Sequence, residues 1–174
     1  MYKLIFFLLL IISCQNNDSK LTSIPASHIG EWETGCYSNG GGTYGKINLI
    51  IDATSIELTT GVFSDVNCTT QLGEFYTQSD SYVRTLNTYS TTLNTYQLTP
   101  MTNNYAIGLN AFGSGTGFCG ITNWANATPR NIFGLNCVGN DPALINDGDS
   151  FTIEAVRTGD TLETDYTTEI FYKI

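Results

Sequence analysis

Apolar and polar residues alternate along much of the chain after residue 30, and this period of two constrains the fold more than any other feature. In the segment KINLIID, residues 46–52, the side chains of Ile47, Leu49 and Ile51 fall on one face. Successive side chains of a β-strand point to opposite faces, so this alternation predicts strands with one buried face. The same pattern recurs in SIELTT at 55–60, SFTIEAV at 150–156 and EIFYKI at 169–174.

The rest of the chain after residue 30 also favours strands over helices. Gly, Asn, Asp and Pro residues separate the apolar segments and indicate turns. A short helix fits only in TNWANATPRN, residues 122–131. Many short strands with brief connections predict one all-β domain at 30–174, an antiparallel β-barrel or β-sandwich of about 8–10 strands. Further strands are predicted at 31–37, 74–79, 81–90, 93–99, 104–111 and 131–137.

The first 14 residues carry a targeting signal. Lys3 precedes an apolar run at 4–12, which is too short for the ~20 residues that a membrane-spanning helix needs. The run ends in Ile11-Ile12-Ser13-Cys14, which resembles the lipobox of bacterial lipoproteins. That resemblance implies a signal peptide at 1–13, cleavage before Cys14, diacylglycerol on its thiol, and an acyl chain such as palmitate on its new amino group. Several acyl chains give stable anchoring in a membrane.

The polar segment at 14–29 is interpreted as a tether, and its lone His28 is expected to be solvated. The chain has 7 basic and 16 acidic side chains and a formal charge of −9, which argues against nucleic-acid binding. Anionic headgroups should repel such a surface, so the lipid on Cys14 is the expected membrane contact. Gln15, where an Asp is absent, favours the outer membrane, with the domain in the periplasm or at the cell surface.

Four cysteines remain once Cys14 carries lipid. An exported chain with four cysteines is expected to form two disulfides, and three pairings are open. The pairs Cys36–Cys68 and Cys119–Cys137 are favoured because each closes a short local loop. The sequence lacks a C-x-x-C pair and contains a single histidine, so it predicts neither a zinc site nor any other metal or cofactor.

The start of the domain, HIGEWETGCY at 28–37, places Gly30 two residues before Trp32. It resembles the first strand of lipocalin-like proteins. The resemblance implies an eight-stranded up-and-down barrel with Trp32 at its base and a small apolar ligand inside. It also implies that a basic residue late in the chain packs over Trp32, and Arg157 and Lys173 are the candidates for that residue. The alternative is that Trp32 is an ordinary core aromatic.

A second aromatic group lies in the segment bounded by Cys119 and Cys137. Phe118, Trp124 and Phe133 are candidates for a ligand mouth, or for a separate small core that the disulfide stabilises by about 3 kcal/mol. Packing is the favoured interpretation.

The sequence contains no clear catalytic motif. A Ser–His–acid triad would need His28 as its base. Carboxylates of Glu31, Glu33, Asp65 and Glu74 are the candidates for a glycosidase-type pair, but solvated surface charge explains them better. Asp147 and Asp149 lack the spacing of an EF-hand loop, so a turn is favoured over a calcium site.

The sequence therefore predicts a non-enzymatic, lipid-anchored protein whose β domain binds a small apolar ligand or a surface or envelope protein. A structural envelope protein without a ligand and a carboxylate-dependent hydrolase are the alternatives. Bulky apolar side chains filling the interior would argue against a ligand.

Overall fold

The computed structural model of the chain describes residues 27–137 and 148–174. The fold of these residues is all-β and barrel-like: twelve strands form one antiparallel sheet that is strongly curled. The lipobox, Cys14 and Asp147 lie outside the described residues. The strands are β1 Gly30–Thr34, β2 Tyr37–Gly40, β3 Thr43–Ile51, β4 Ile56–Phe63, β5 Gln71–Ser79, β6 Tyr82–Thr85, β7 Thr88–Thr92, β8 Thr95–Pro100, β9 Arg130–Asn131, β10 Ser150–Thr158, β11 Thr161–Thr164 and β12 Thr167–Lys173.

One long bent hairpin joins the two sides of the sheet. β5 pairs with β8 and β6 with β7, and the numbers of paired residues add to 173 in both, as in Gly73 with Pro100 and Thr85 with Thr88. β5–β6 and β7–β8 are therefore the two arms of a single hairpin. β5 also pairs with β4, β7 pairs with β10, and β12 pairs with β1. Through this hairpin the pairings follow one another in the order β1, β3, β4, β5–β6, β7, β10, β11, β12, called the ring here, and the curled sheet is barrel-like.

The inner face of this ring holds the main core. On β3 and β4 the buried residues alternate as the sequence predicts, and Leu49 lies opposite Leu58 in the sheet register. Trp32, Tyr89 and Phe171 are large side chains that are fully enclosed in the same core. Burial of a large apolar side chain contributes about 1.5–3 kcal/mol, so this filled interior stabilises the ring.

The prediction of a strand at 104–111 is wrong, because those residues form the helix α1, Asn103–Gly115. Thr102 caps the helix, since its side-chain oxygen accepts a 3.1 Å hydrogen bond from the backbone N–H of Tyr105. The buried residues of the helix, Ala106 and Leu109, are three apart, which is a helical spacing. Helical geometry breaks at Phe112.

Three other expectations about local structure are also wrong, and one of them is the single strand at 81–90, which is two strands, β6 and β7, joined by a turn. The helix expected at 122–131 is replaced by turns and by β9, and the strand expected at 131–137 contributes only Asn131. β11 was not predicted.

Both favoured disulfides are confirmed. Cys36 bonds to Cys68 and Cys119 bonds to Cys137. The first holds the chain after β1 against the loop between β4 and β5. The second closes the segment after α1, whose side chains form a second core on β8 around Leu98, Trp124 and Ile132.

Candidate functional site

One end of the barrel, called the base here, is where the chain enters the domain and where the turns at 52–55, 85–88 and 158–161 lie. Trp32 closes the base from inside, and its indole N–H donates a 2.8 Å hydrogen bond to the backbone oxygen of His28. The guanidinium carbon of Arg157 lies 5.3 Å from the centre of the Trp32 ring, in a cation–π contact. Of the two basic candidates, Arg157 therefore stacks on Trp32, whereas Lys173 is exposed and pairs with Trp32 through the backbone.

His28 is buried in this base, so the expectation that it is solvated is wrong. Its Nδ1 atom lies 2.8 Å from the hydroxyl of Tyr89 on β7. Burial, and then the positive charges of Arg84 and Arg157, lower the pKa of His28 to about 4. A neutral histidine bonded between a strand and the incoming chain serves to close the base. His28 therefore belongs to the folded domain.

Arg157 also binds the incoming chain. Its Nε donates a 2.7 Å hydrogen bond to the oxygen of Gly159, and its Nη1 donates to the oxygen of Ser27. Arg84 lies 5.4 Å from the ring centre of Tyr89 and donates from Nε to the oxygen of Leu86. Arg157 thus holds the first residues of the domain directly, whereas Arg84 lies against Tyr89, which bonds to His28.

An apolar cavity of about 70 Å³ lies inside the ring. The side chains around it come from the β4–β5 side and from the β7–β10 side of the barrel. An apolar space of this kind suits an apolar ligand better than ordered water, which needs polar partners. The lining residues are Ile56, Leu58, Thr77, Ser79, Thr91, Leu93, Tyr96, Phe151, Ile153 and Tyr166.

Two hydroxyls of the cavity wall, those of Ser79 and Thr91, already have hydrogen-bond partners. The hydroxyls of Ser79 and Thr91 are in contact, and both donate to the backbone oxygen of Ser81. Because these groups already have hydrogen bonds, they have little to offer a polar ligand. The wall therefore favours apolar over polar molecules.

Tyr166 covers one side of the cavity. It lies at the turn between β11 and β12, at the end of the barrel opposite the base, and the opening beside it is called the mouth here. Its ring packs edge-on against Phe151, with centroids 6.0 Å apart. Burial raises the pKa of Tyr166, and a hydrogen bond with Thr60 opposes that rise. The pKa of Tyr37 is also raised by burial, with Tyr166 and Glu169 adding to the effect, so polar groups gather at the mouth.

The second aromatic group lies apart from this cavity for the most part. Trp124 is buried in the second core, with its indole N–H 3.2 Å from the oxygen of Phe118, and the rings of these two residues pack 6.4 Å apart. Phe133 packs edge-on against Tyr96, which does line the cavity. Trp124 and Phe118 thus pack a core, and Phe133 supports the cavity wall from behind.

The candidate carboxylates are distributed over the outside of the sheet. Glu33 forms a 2.7 Å ion pair with Lys46, and Glu31 accepts a 2.9 Å hydrogen bond from the side chain of Asn48. Glu74 accepts one from Gln71. These are contacts between neighbouring surface side chains.

Asp65 has a separate structural role. It accepts hydrogen bonds from backbone N–H groups of its own loop, and the bond from Thr70 is the main cause of a lowered pKa. The bonds order the loop that carries Cys68. In the two described ranges, no group of three His, Cys, Asp or Glu side chains is placed to hold a metal ion.

The cavity, the position of Tyr166 over it and the burial of His28 could not be predicted from the sequence, because the residues that meet there are far apart in the chain. Within the described ranges, no helix combines the length and apolarity that a bilayer crossing requires.

No protein-family model matches the chain, and no curated protein matches it either.

Proposed function

We propose that this protein is an exported lipoprotein, anchored in the outer membrane through Cys14, whose barrel binds a small apolar ligand. The observation that carries the ligand proposal is the apolar cavity beneath Tyr166. The two disulfides support export, because such bonds persist in oxidising compartments. The ring of eight segments and the Arg157–Trp32 stack support a lipocalin-like barrel.

The size of the cavity restricts the ligand. About 70 Å³ is roughly half of the ~150 Å³ cavity that accommodates benzene in an engineered protein core. The cavity as it stands therefore takes a very small apolar group, such as the end of an alkyl chain. A larger apolar molecule requires Tyr166 to swing away from Phe151, and its exposed position at a turn makes it the side chain best placed to move.

A comparison of two tyrosine variants tests this proposal. Tyr166→Ala removes the ring over the cavity, and Tyr172→Ala removes an exposed ring from the outer face of β12. The probe is N-phenyl-1-naphthylamine, an apolar dye that fluoresces in apolar sites. We expect Tyr166→Ala to bind the dye more tightly than the wild type and Tyr172→Ala to match the wild type.

Native mass spectrometry of the gently purified full chain gives a second, independent reading. A bound mass that leaves on collisional activation supports an enclosed ligand, and extraction identifies its chemical class. A bare protein, together with dye binding that neither variant changes, would reject the ligand proposal.

A structural envelope protein is the second candidate, because of the filled interior. Trp32, Tyr89 and Phe171 occupy much of the ring, and this is the arrangement expected of a barrel that needs no ligand. Native mass spectrometry of the wild-type chain separates this candidate from the first, since a structural barrel carries no bound mass, whereas Tyr166→Ala enlarges the cavity in either case.

A further inference from the structure

The base of the barrel exposes apolar side chains where the chain enters the domain. Leu86, in the turn between β6 and β7, is 74% exposed, and Ile29, directly after the buried His28, is 48% exposed. Ile174, which follows β12 and bonds to Glu31 through the backbone, is 62% exposed. Single exposed apolar residues are common on protein surfaces. The notable point is that these three project from the same end.

The position of the anchor brings this end close to a membrane. Cys14 and Ser27 are 13 residues apart, and a chain of that length cannot exceed about 45 Å and averages about 20 Å when it has no fixed structure. Ser27 is held at the base by Arg157. With lipid on Cys14, the base is therefore the part of the domain that the connecting chain keeps within about 45 Å of the bilayer.

We propose that the base docks on the surface of the bilayer that holds the lipid of Cys14, with Leu86 and Ile29 entering the interface. This inference rests on the proposed lipid anchor. Apolar side chains at the tips of turns enter the headgroup region readily, and long basic side chains beside them keep their charged ends among the headgroups.

Charged groups at the base are of both signs. Arg84, Arg157 and Lys173 lie there, whereas the other described basic residues, Lys46 and Arg130, do not. Acidic Asp52 and Asp160 lie in turns of the same end, and Glu31 lies there on β1, so three acidic residues face the three basic ones. The base is therefore less acidic than the chain as a whole, so it avoids the repulsion that the overall charge predicts. We expect docking on zwitterionic lipid without a requirement for anionic lipid.

Docking of the base has a consequence for the ligand site. The mouth beside Tyr166 lies at the opposite end of the barrel, so it faces away from the bilayer. A ligand would then enter and leave the cavity from the aqueous side and not from the membrane side.

Tryptophan variants of the full lipidated chain test the proposal in phosphatidylcholine vesicles. Leu86→Trp places a fluorophore at the base, and Val66→Trp places one in the loop between β4 and β5 at the other end, at a residue that is 62% exposed. Vesicles of lipid brominated on the acyl chains quench tryptophans that enter the interface. The emission of the wild type, which has Trp32 and Trp124, is the baseline.

We expect the added tryptophan of Leu86→Trp to lose most of its emission in brominated vesicles and that of Val66→Trp to lose none. Equal quenching of both variants, or of neither, would overturn the docking. A blue shift of Leu86→Trp that depends on protein concentration and needs no vesicles would also overturn it, because a second copy of the chain would then cover the base.

The mass of the N-terminal peptide is measured on the same samples. A lipidated Cys14 with an unquenched Leu86→Trp overturns the docking and leaves the anchor standing. An unlipidated Cys14 in a protein that stays off the vesicles overturns the anchor, and the docking with it.

Discussion

The buried histidine makes the stability of the barrel sensitive to mild acid. The pKa of His28 is about 4 in the folded protein and about 6.5 in an unfolded chain. Between these values the unfolded chain binds more protons than the folded one, so the free energy of unfolding falls as the pH falls. Stability is therefore full above about pH 6.5 and declines toward pH 4.

The size of the effect follows from the shift in pKa. The two pKa values correspond to about 2 kcal/mol at pH 5, and we expect about 1–2 kcal/mol because solvent that reaches the base weakens the shift. For a domain of this size the melting temperature should fall by about 2–8 °C between pH 7.5 and pH 5. The physical cause is the insertion of a charge between Arg84 and Arg157, beside the hydroxyl of Tyr89.

A non-titrating variant isolates this contribution. In His28→Asn the side-chain amide stands close to the position of Nδ1 and can still bond to Tyr89, but it has no charge to gain. Thermal unfolding of both proteins at pH 5, 6 and 7.5 gives the comparison, in a range above the titration of ordinary carboxyls. The reasoning would be refuted if the two proteins lost stability in parallel between pH 7.5 and pH 5.

Three further predictions concern stability, each measured as a urea or thermal midpoint. Replacing Cys36 and Cys68 together by Ala should cost about 3–4 kcal/mol, since the bond closes a loop with a sequence separation of 32; an unchanged midpoint would contradict this. Gly73→Ala should destabilise by about 1–3 kcal/mol, because its Cβ would lie 2.3 Å from a tyrosine ring. Gly108→Ala, in open space on α1, should stabilise by about 0.5–1 kcal/mol, and a shift of the same sign in both glycine variants would refute the packing argument. Arg157→Met should lower the free energy of unfolding by about 1–3 kcal/mol and Lys46→Met by under about 1 kcal/mol, because only the first removes a cation–π contact with Trp32. Equal losses in the two variants would show that this contact does not stabilise the fold.

Strands with one buried face were predictable because their signal is local. Ile47, Leu49 and Ile51 show the alternation directly, and the structure buries all three. The four cysteines were also predictable, since short loops favour local pairs and the structure contains those pairs. In both cases the information lies within a few tens of residues.

The helix α1 was mistaken for a strand because its sequence supports both periods. In NNYAIGLN the apolar residues at 105, 107 and 109 alternate, while Ala106 and Leu109 have a helical spacing. The decisive signal was the cap: Thr102 follows Pro100 and precedes two asparagines, and its side chain accepts a hydrogen bond at the start of the helix.

The site itself was hidden because its contacts are distant in sequence. His28 meets Tyr89 across 61 residues, and Arg157 reaches Ser27 across 130. The residues before His28 in the sequence are mostly polar, so they predicted an exposed position for its side chain. Phe151 lies on β10 and Tyr166 in the turn between β11 and β12, so their contact at the mouth depends on the register of these three strands.

The pairing of β1 with β12 also determines when the barrel can be completed. These are the first and the last strands of the described ring, with Trp32 opposite Lys173 in the register. A chain is synthesised from its N-terminus, so one edge of β1 stays unpaired until β12 has been made. Contacts between such distant segments form slowly, and an unpaired edge attracts other chains. The interval between the synthesis of β1 and that of β12 is therefore when a newly made molecule is most exposed to aggregation.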